Sequence, residues 1–320
     1  MSGDKRSNKH KKSKKRWIKY VLAVILALLI GGGVYAYSIY DNAKQTVQEK
    51  IHQPVQSIET NVGKKKMKEE KPLNILLLGV DERANDSGRS DALMVLSLHP
   101  EDNSMQIVSI PRDTRTEIIG NNTVDKINHA YAFGGADMSI ATVENLLDIE
   151  LDYYVEMNMQ GLSAMVDAVG GITVQNELEW EDTGYYEKGF LYKKGELDLN
   201  GEQTMGFVRM RYQDPDGDFG RTKRQRKVIQ ALIDKGSSFR SANKINGMID
   251  VLGNNMSTNL DFEDMQNLLF NYRETTQNVN NYQLKGKGTL IANESGQDIY
   301  YMIVSDDEIN KVHNMLVKEN

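Results

Sequence analysis

Acidic and arginine residues gather where apolar runs end in this 320-residue sequence. Asp81 directly follows the run from residue 73 to 80, with Arg83 two residues on. Arg89-Ser90-Asp91 leads into the run 92–98, and Pro111-Arg112-Asp113-Thr114 closes the run 105–110. Apolar runs of this length bounded by charge read as buried strands. Ligands of helix-covered sheets bind at strand ends, so these residues are better site candidates than charges on helix faces. If the first two strands are antiparallel neighbours, Asp81 and Asp91 stand at the same end of the sheet. Two close carboxylates repel unless a cation lies between them, and oxygen-only ligation suits magnesium, above all beside phosphates. The competing reading is that each acid caps a loop or pairs with an adjacent arginine.

A second cluster lies between residues 207 and 227. There Arg209, Arg211, Arg221, Lys223, Arg224, Arg226 and Lys227 stand against Asp214, Asp216 and Asp218, a local excess of four positive charges. Arg221, Arg224, Gln225, Val228 and Leu232 share one helical face whose later part is apolar. Arginines at the head of a core-facing stripe need an anionic partner, because an uncompensated buried guanidinium is costly. Helix N-termini favour anions, and planar guanidinium forks match phosphate oxygens. The alternatives are a solvated face paired with the three aspartates, or a basic helix that enters a DNA groove.

Other chemistries are missing from the sequence. No P-loop, G-x-G-x-x-G, G-x-S-x-G or H-E-x-x-H pattern occurs. The five histidines are scattered, and the absence of cysteine excludes disulfides, thiolate metal sites and cysteine nucleophiles.

The elements that must position these residues begin with a membrane anchor. Residues 1–16 carry eight basic side chains and one acid, so the net charge of −6 divides into +7 for this tail and −13 for the remainder. Residues 20–39 contain no charged side chain, the length a helix needs to cross a hydrocarbon core. With Trp17 and Tyr20 at one end and Tyr35, Tyr37 and Tyr40 at the other, residues 17–40 are expected to form a transmembrane helix. The basic tail is retained in the cytoplasm, so everything after the span lies outside the cell and the basic helix never meets the chromosome. A cleaved signal peptide would have a shorter apolar core and a small-residue cleavage site, and Ala36-Tyr37-Ser38 is a poor one.

Residues 41–72 are polar and read as a linker, with the folded domain starting at Leu73. Pro100 to Ser104 reads as a hairpin connection. Helices are expected from an Asp137 N-cap to about 147, over 160–169 before Gly170-Gly171, from an Asn200/Gln203 capping box to about 211, over 222–235, from Asp261 through 272, and after Ser305. Strands at 153–157 and 172–174 flank the second of these. The mixture implies an α/β fold, a sheet with helices packed on its faces.

The ordered stretches resemble the LytR-CpsA-Psr family of Gram-positive cell-wall enzymes, most of all its LytR-type wall teichoic acid ligases of bacilli. They are Asn74 to Arg83 (NILLLGVDER), Arg89 to Met94 (RSDALM), Ser109 to Thr114 (SIPRDT), Lys126 to Tyr131 (KINHAY), and Phe207 to Arg211 (FVRMR) continuing through Asp218-Phe219-Gly220-Arg221 to Arg224-Gln225. The resemblance implies a three-layer α/β/α domain with a mixed central sheet, enclosing a hydrophobic tunnel for a polyprenyl chain. It implies a magnesium-dependent phosphotransferase that moves an anionic glycopolymer from undecaprenyl pyrophosphate to the 6-hydroxyl of N-acetylmuramic acid in peptidoglycan. By motif, Asp81 and Asp91 would hold magnesium. Arg89, Arg112, Arg209, Arg211, Arg221, Arg224 and Gln225 would hold the pyrophosphate, with Arg83 and Lys126 as helpers. Asp91 and Arg112 are the residues expected to act in catalysis. Thr204-Met205 departs from the usual Ala-Leu, which bears on packing more than chemistry. The alternatives are a lipid pyrophosphatase and a wall-binding scaffold without turnover.

Overall fold

The structure, a computed structural model, describes residues 35, 37–81, 88–237, 249, 251–293 and 295–317. The expected membrane span lies almost wholly outside them. Among the described residues no helix is long and apolar enough to cross a membrane. The chain divides into two units at residue 45. In the first, residues 37–45 are helical.

The second unit opens with a π-turn (Val47–Ile51) and runs through α1 (Thr60–Lys68), β1 (Leu73–Val80), β2 (Ser90–His99), β3 (Ser104–Ile110), β4 (Arg115–Ile118), β5 (Thr123–Lys126), α2 (His129–Leu147), β6 (Tyr153–Asn158), α3 (Met159–Ala168) and β7 (Ile172–Asn176). It continues through β8 (Trp180–Glu181), β9 (Leu191–Tyr192), β10 (Gly195–Leu199), α4 (Gly201–Arg209), α5 (Asp218–Ser237), β11 (Met256–Thr258), α6 (Phe262–Asn271), β12 (Asn278–Gln283), β13 (Lys287–Ala292), β14 (Asp298–Ile303) and α7 (Asp306–Val317).

The central sheet has the order β11-β6-β1-β2-β3-β12. β1 is antiparallel to β2 and parallel to β6, while β3 is parallel to β12, so the sheet is mixed. Alternation along β1 divides its side chains between two faces. Leu76, Leu78 and Val80 pack with Ile140, Val143 and Leu147 of α2 and with Val312 and Leu316 of α7. Ile75 and Leu77 face a cluster that includes Ile229 and Ile233 of α5 and Leu268 of α6. Helices therefore cover both faces, as expected for an α/β fold whose strands are apolar on both sides. A further cluster joins α3, α4 and α5 to the β7–β10 region, where Trp180 stacks on Tyr192 at 4.7 Å between ring centroids.

Most expected elements stand where the sequence puts them. The Asn200/Gln203 capping box is closed in both directions, and the Thr204 hydroxyl turns back to the Asn200 carbonyl at 2.7 Å, a packing role in keeping with its burial. The Asp137 expectation needs correction. The helix starts earlier, at His129, and breaks at Gly134 and Gly135, the latter at φ 62° where a side chain would be strained. Asp137 caps another segment, accepting from the Gln56 and Ser57 backbone N–H groups at 2.7 and 2.9 Å.

The linker expectation also needs correction. Ile51, Ile58 and Met67 are buried, and Ile58 and Met67 belong to the two cores that flank the sheet. These apolar residues are spaced too widely to form a run, which is why the segment reads as a stalk. It instead belongs to the folded unit that begins at residue 46.

Candidate functional site

The site is built at one end of the sheet, where the interior strands β1, β2 and β3 meet. β1 and β2 are antiparallel neighbours whose register shifts between Gly79 and Val80, so that Gly79 pairs with Ala92 but Val80 pairs with Ser90. Asp91 is the extra residue of that bulge, and bulges re-aim side chains at sheet edges. Asp81 leaves β1 at the same end, its N–H donating to the Arg89 carbonyl at 3.3 Å. β3 ends beside them, and Pro111 delivers Arg112.

Arg112 is the hub. Its Nη1 donates to Asp91 Oδ1 at 2.7 Å, while Nε lies 3.8 Å from Asp218 Oδ2 and 3.9 Å from Asp113 Oδ2. Burial disfavours its charge, but Asp91, then Asp218 and Asp113, outweigh burial and raise its pKa above the ordinary guanidinium value. Lys126 Nζ donates to Asp113 Oδ1 at 2.6 Å.

α5 supplies the opposite wall. Its first residue, Asp218, has Arg221 Nη2 at 2.7 Å and Arg211 Nε at 3.7 Å from Oδ1. The approach of Arg221 is off the hydrogen-bond direction. Among the described residues, Arg221 Nε and Nη2, Arg112 Nε and Asp218 Oδ1 are all buried without a hydrogen-bond partner. Burial, with repulsion from Arg112 and Arg211, lowers the Arg221 pKa against the pull of Asp218. Each buried unpaired polar group costs about 1–3 kcal/mol, and more when charged, so this cluster is poised for an anion that accepts those bonds.

One helical turn beyond Arg221, the site becomes apolar. Gln225 and Ile229 line a cavity of ≈ 100 Å³ between α5 and the sheet, with Leu77, Gly79, Ala92, Met94, Val155, Met157, Leu162 and Val208. Gln225 Oε1 is buried there without a hydrogen-bond partner among the described residues. An anion-seeking head thus adjoins a hydrocarbon-like slot through a single helix.

The other sequence candidates fall as follows. Arg209 ends α4 and Arg89 precedes β2, and neither side chain has a hydrogen bond or ion pair among the described residues. Arg83 lies outside the described residues. Arg224 stands apart from the cluster. Its Nε donates to the Phe207 carbonyl at 3.0 Å, its Nη groups to Asp214 and the Met210 carbonyl, and its guanidinium lies 5.3 Å from the Trp180 ring centre. It braces the 210–217 turn, which carries Arg211 and leads to Asp218. The sequence pattern pointed to neither the cavity lining at Met157 and Leu162 nor the central place of Asp218, because neutral or pairing residues carry no charge excess.

Asp81 and Asp91 offer hard oxygen donors on adjacent strand ends. No three His, Asp or Glu side chains gather as a metal cage among the described residues. Magnesium is held in phosphate sites by one or two carboxylates, the rest coming from waters and substrate, so this donor pair fits it.

A family model described as LytR_cpsA_psr family matches residues 34–318. The chain belongs to the LytR_cpsA_psr family. A family relative from Bacillus anthracis, named polyisoprenyl-teichoic acid–peptidoglycan teichoic acid transferase TagU, is 46% identical over 305 residues, covering 95% of this chain and 97% of that protein. The crystal structure of Bacillus subtilis TagU matches with a TM-score of 0.60 and 38% identity, covering 77% of this chain and 96% of that one. A structure of TagT bound to LIIa-WTA matches with a TM-score of 0.67 and 28% identity, covering 84% and 96%. Within this LytR_cpsA_psr domain, residues 74–81, 89–94, 109–114 and 207–225 of the motif stretches are the segments that build the cluster at the strand ends.

Proposed function

We propose that this protein transfers an anionic glycopolymer, wall teichoic acid, from an undecaprenyl pyrophosphate carrier to the 6-hydroxyl of N-acetylmuramic acid in peptidoglycan. The observation that carries this reading is the set of buried guanidinium N–H groups on Arg112 and Arg221 that face carboxylates yet make no hydrogen bond among the described residues, beside the apolar cavity. A lipid pyrophosphate needs both features at once. The relatives named as teichoic acid transferases supply the polymer and its acceptor.

The pyrophosphate lies among Arg112, Arg211 and Arg221, with Arg89, Arg209 and Lys126 as further cations and Gln225 at the start of the lipid slot; Arg83 is assigned as a helper by its motif alone. Arg224 shapes this site through the turn it braces. Asp81 and Asp91 would hold magnesium, which would supply positive charge to offset that of the pyrophosphate. The acceptor hydroxyl oxygen forms a bond to the polymer-side phosphorus, the bond from that phosphorus to the bridging oxygen breaks, and undecaprenyl phosphate leaves. The hydroxyl proton passes to the Asp91 carboxylate. Preorganised arginines lower the barrier by stabilising charge on the leaving phosphate, the main contribution in phosphoryl transfer.

The basic tail and residues 17–40 anchor the enzyme in the cell membrane with its N-terminus inside and residues 46–320 outside. Protease added to intact protoplasts then digests the domain. Protection from protease would overturn that placement.

The function is tested by purifying the full-length protein from the membrane and identifying its bound lipid by mass. A polyprenyl pyrophosphate bearing polymer is the expected species, and its absence from wild type under conditions where donor is abundant would count against the reading.

A further inference from the structure

A second pocket opens at the same end of the sheet, on the face opposite the apolar cavity. It has a volume of ≈ 370 Å³ and is lined among others by Gln53, Val80, Glu156, Asn158, Asn254 and Asn255. Val80 and Tyr154 pack into the α2-side core, and Tyr131 of α2 donates to Glu156 Oε1 at 2.8 Å, which places the pocket on that face. Asn158 ends β6 and lines both cavities. Val80 is the residue before Asp81. Adjacent strands lie ~4.8 Å apart, so Asn158 on β6 stands two strand spacings, ~10 Å, from Asp91 on β2.

Its chemistry differs from the donor site in each respect. Glu49 and Glu156 outnumber Lys50 in the lining, so a polyanion is disfavoured there. The lining is rich in side-chain amides, carboxylates and a hydroxyl, and its apolar side chains are Val80 and Met256, too few to wall a lipid chain. Planar amides and carboxylates pair with sugar hydroxyl and acetamido groups. The frame is rigid: Asn158 Nδ2 donates to Asn255 Oδ1 at 3.1 Å, the Gln53 N–H to the Thr258 carbonyl at 2.7 Å, and Tyr154 Oη to the Gln53 carbonyl at 2.9 Å. The side chains of Gln53 and Asn254 have no hydrogen bond among the described residues, so they are available to a ligand.

We infer that this pocket is the acceptor subsite, holding a neutral N-acetylhexosamine unit of the peptidoglycan glycan strand. The inference rests on the transferase reading. Donor lipid then occupies one face of the sheet and acceptor sugar the other, and their reacting groups meet at the strand ends between Asp81, Asp91 and Arg112.

The test uses the full-length protein in detergent with lipid-linked polymer and a peptide-free peptidoglycan glycan oligomer. The double variant Gln53→Ala, Asn254→Ala should raise the acceptor KM by about tenfold at saturating donor, with kcat, donor retention and melting temperature close to wild type. An unchanged acceptor KM, with Arg112→Ala inactive, overturns the subsite while leaving the transferase reading intact. A loss of donor retention in the double variant assigns the pocket to the donor and also overturns it. Full activity of Arg112→Ala removes the transferase reading, and the subsite with it.

Discussion

Arg112 Nη1 and Asp91 Oδ1 are joined by a 2.7 Å hydrogen bond that ties the bulge at the start of β2 to the loop after β3. The same guanidinium keeps Nε buried toward Asp218 and Arg221, with no hydrogen bond among the described residues. One residue therefore orients the carboxylate and borders the guanidinium cluster. Arg112→Ala should lower kcat for transfer by about 10²–10³-fold, the usual cost of removing a donor aimed at developing charge. Arg112→Lys should recover only part of this, because an ammonium cannot form both contacts of a planar fork. Steady-state transfer assays on both variants check this.

Arg221 should behave differently in stability and in function. Its burial opposes its charge and Arg112 and Arg211 repel it, and although Nη2 lies 2.7 Å from Asp218 Oδ1, neither Nε nor Nη2 makes a hydrogen bond among the described residues. Arg221→Gln should therefore leave the melting temperature unchanged or raise it while transfer is lost, a site whose strain serves ligand binding. Thermal unfolding beside a transfer assay decides it, and a large drop in melting temperature would be the contrary result.

Arg224 should show the reverse balance. Arg224→Ala leaves Asp214 and the carbonyls of Phe207 and Met210 without their buried donor, in surroundings where Arg224 is 6% exposed. Removing one partner of a buried pair costs about 3–5 kcal/mol, which should lower the melting temperature by roughly 10 °C in a domain of this size. Calorimetry of the purified variant measures it.

Acid stability should carry a signature from Glu177. Its hydrogen bonds to Lys223 and Lys227 of α5 pull its pKa from 4.5 to about 2. A depressed carboxylate pKa contributes stability above the unfolded value, and that contribution is lost as pH falls from about 4.5 through about 2. The side chain is 61% exposed, so solvent and salt screen much of the effect. Glu177→Gln should flatten the pH dependence of the melting temperature in that window, more visibly at low ionic strength.

This end of the sheet was legible in the sequence because charge interrupts apolar runs there. Asp81, Asp91 and Arg112 mark three strand ends, and two successive antiparallel pairings, β1 with β2 and β2 with β3, place them together. Helical periodicity put Arg221 and Gln225 on a single face, and that face does lead from the guanidinium cluster into the apolar cavity. It also grouped Arg224 with them, since no periodicity reveals that the 210–217 turn folds back to bring Asp214 to that residue. Ile51, Ile58 and Met67 gave no signal of burial because each is isolated among polar neighbours, and only the folded chain buries them, Ile58 and Met67 in the two cores. Asn158 and Asn255 are neutral amides from distant segments, and their meeting is a tertiary event.

The central claim is tested most directly by reconstituting transfer with full-length protein, magnesium, lipid-linked polymer and peptidoglycan oligomers, and counting both products. The expected result is undecaprenyl phosphate released in equal amount to polymer joined to the glycan by a phosphodiester, with both lost in Arg112→Ala. Free polymer released without attachment, or undiminished transfer by Arg112→Ala, would contradict it.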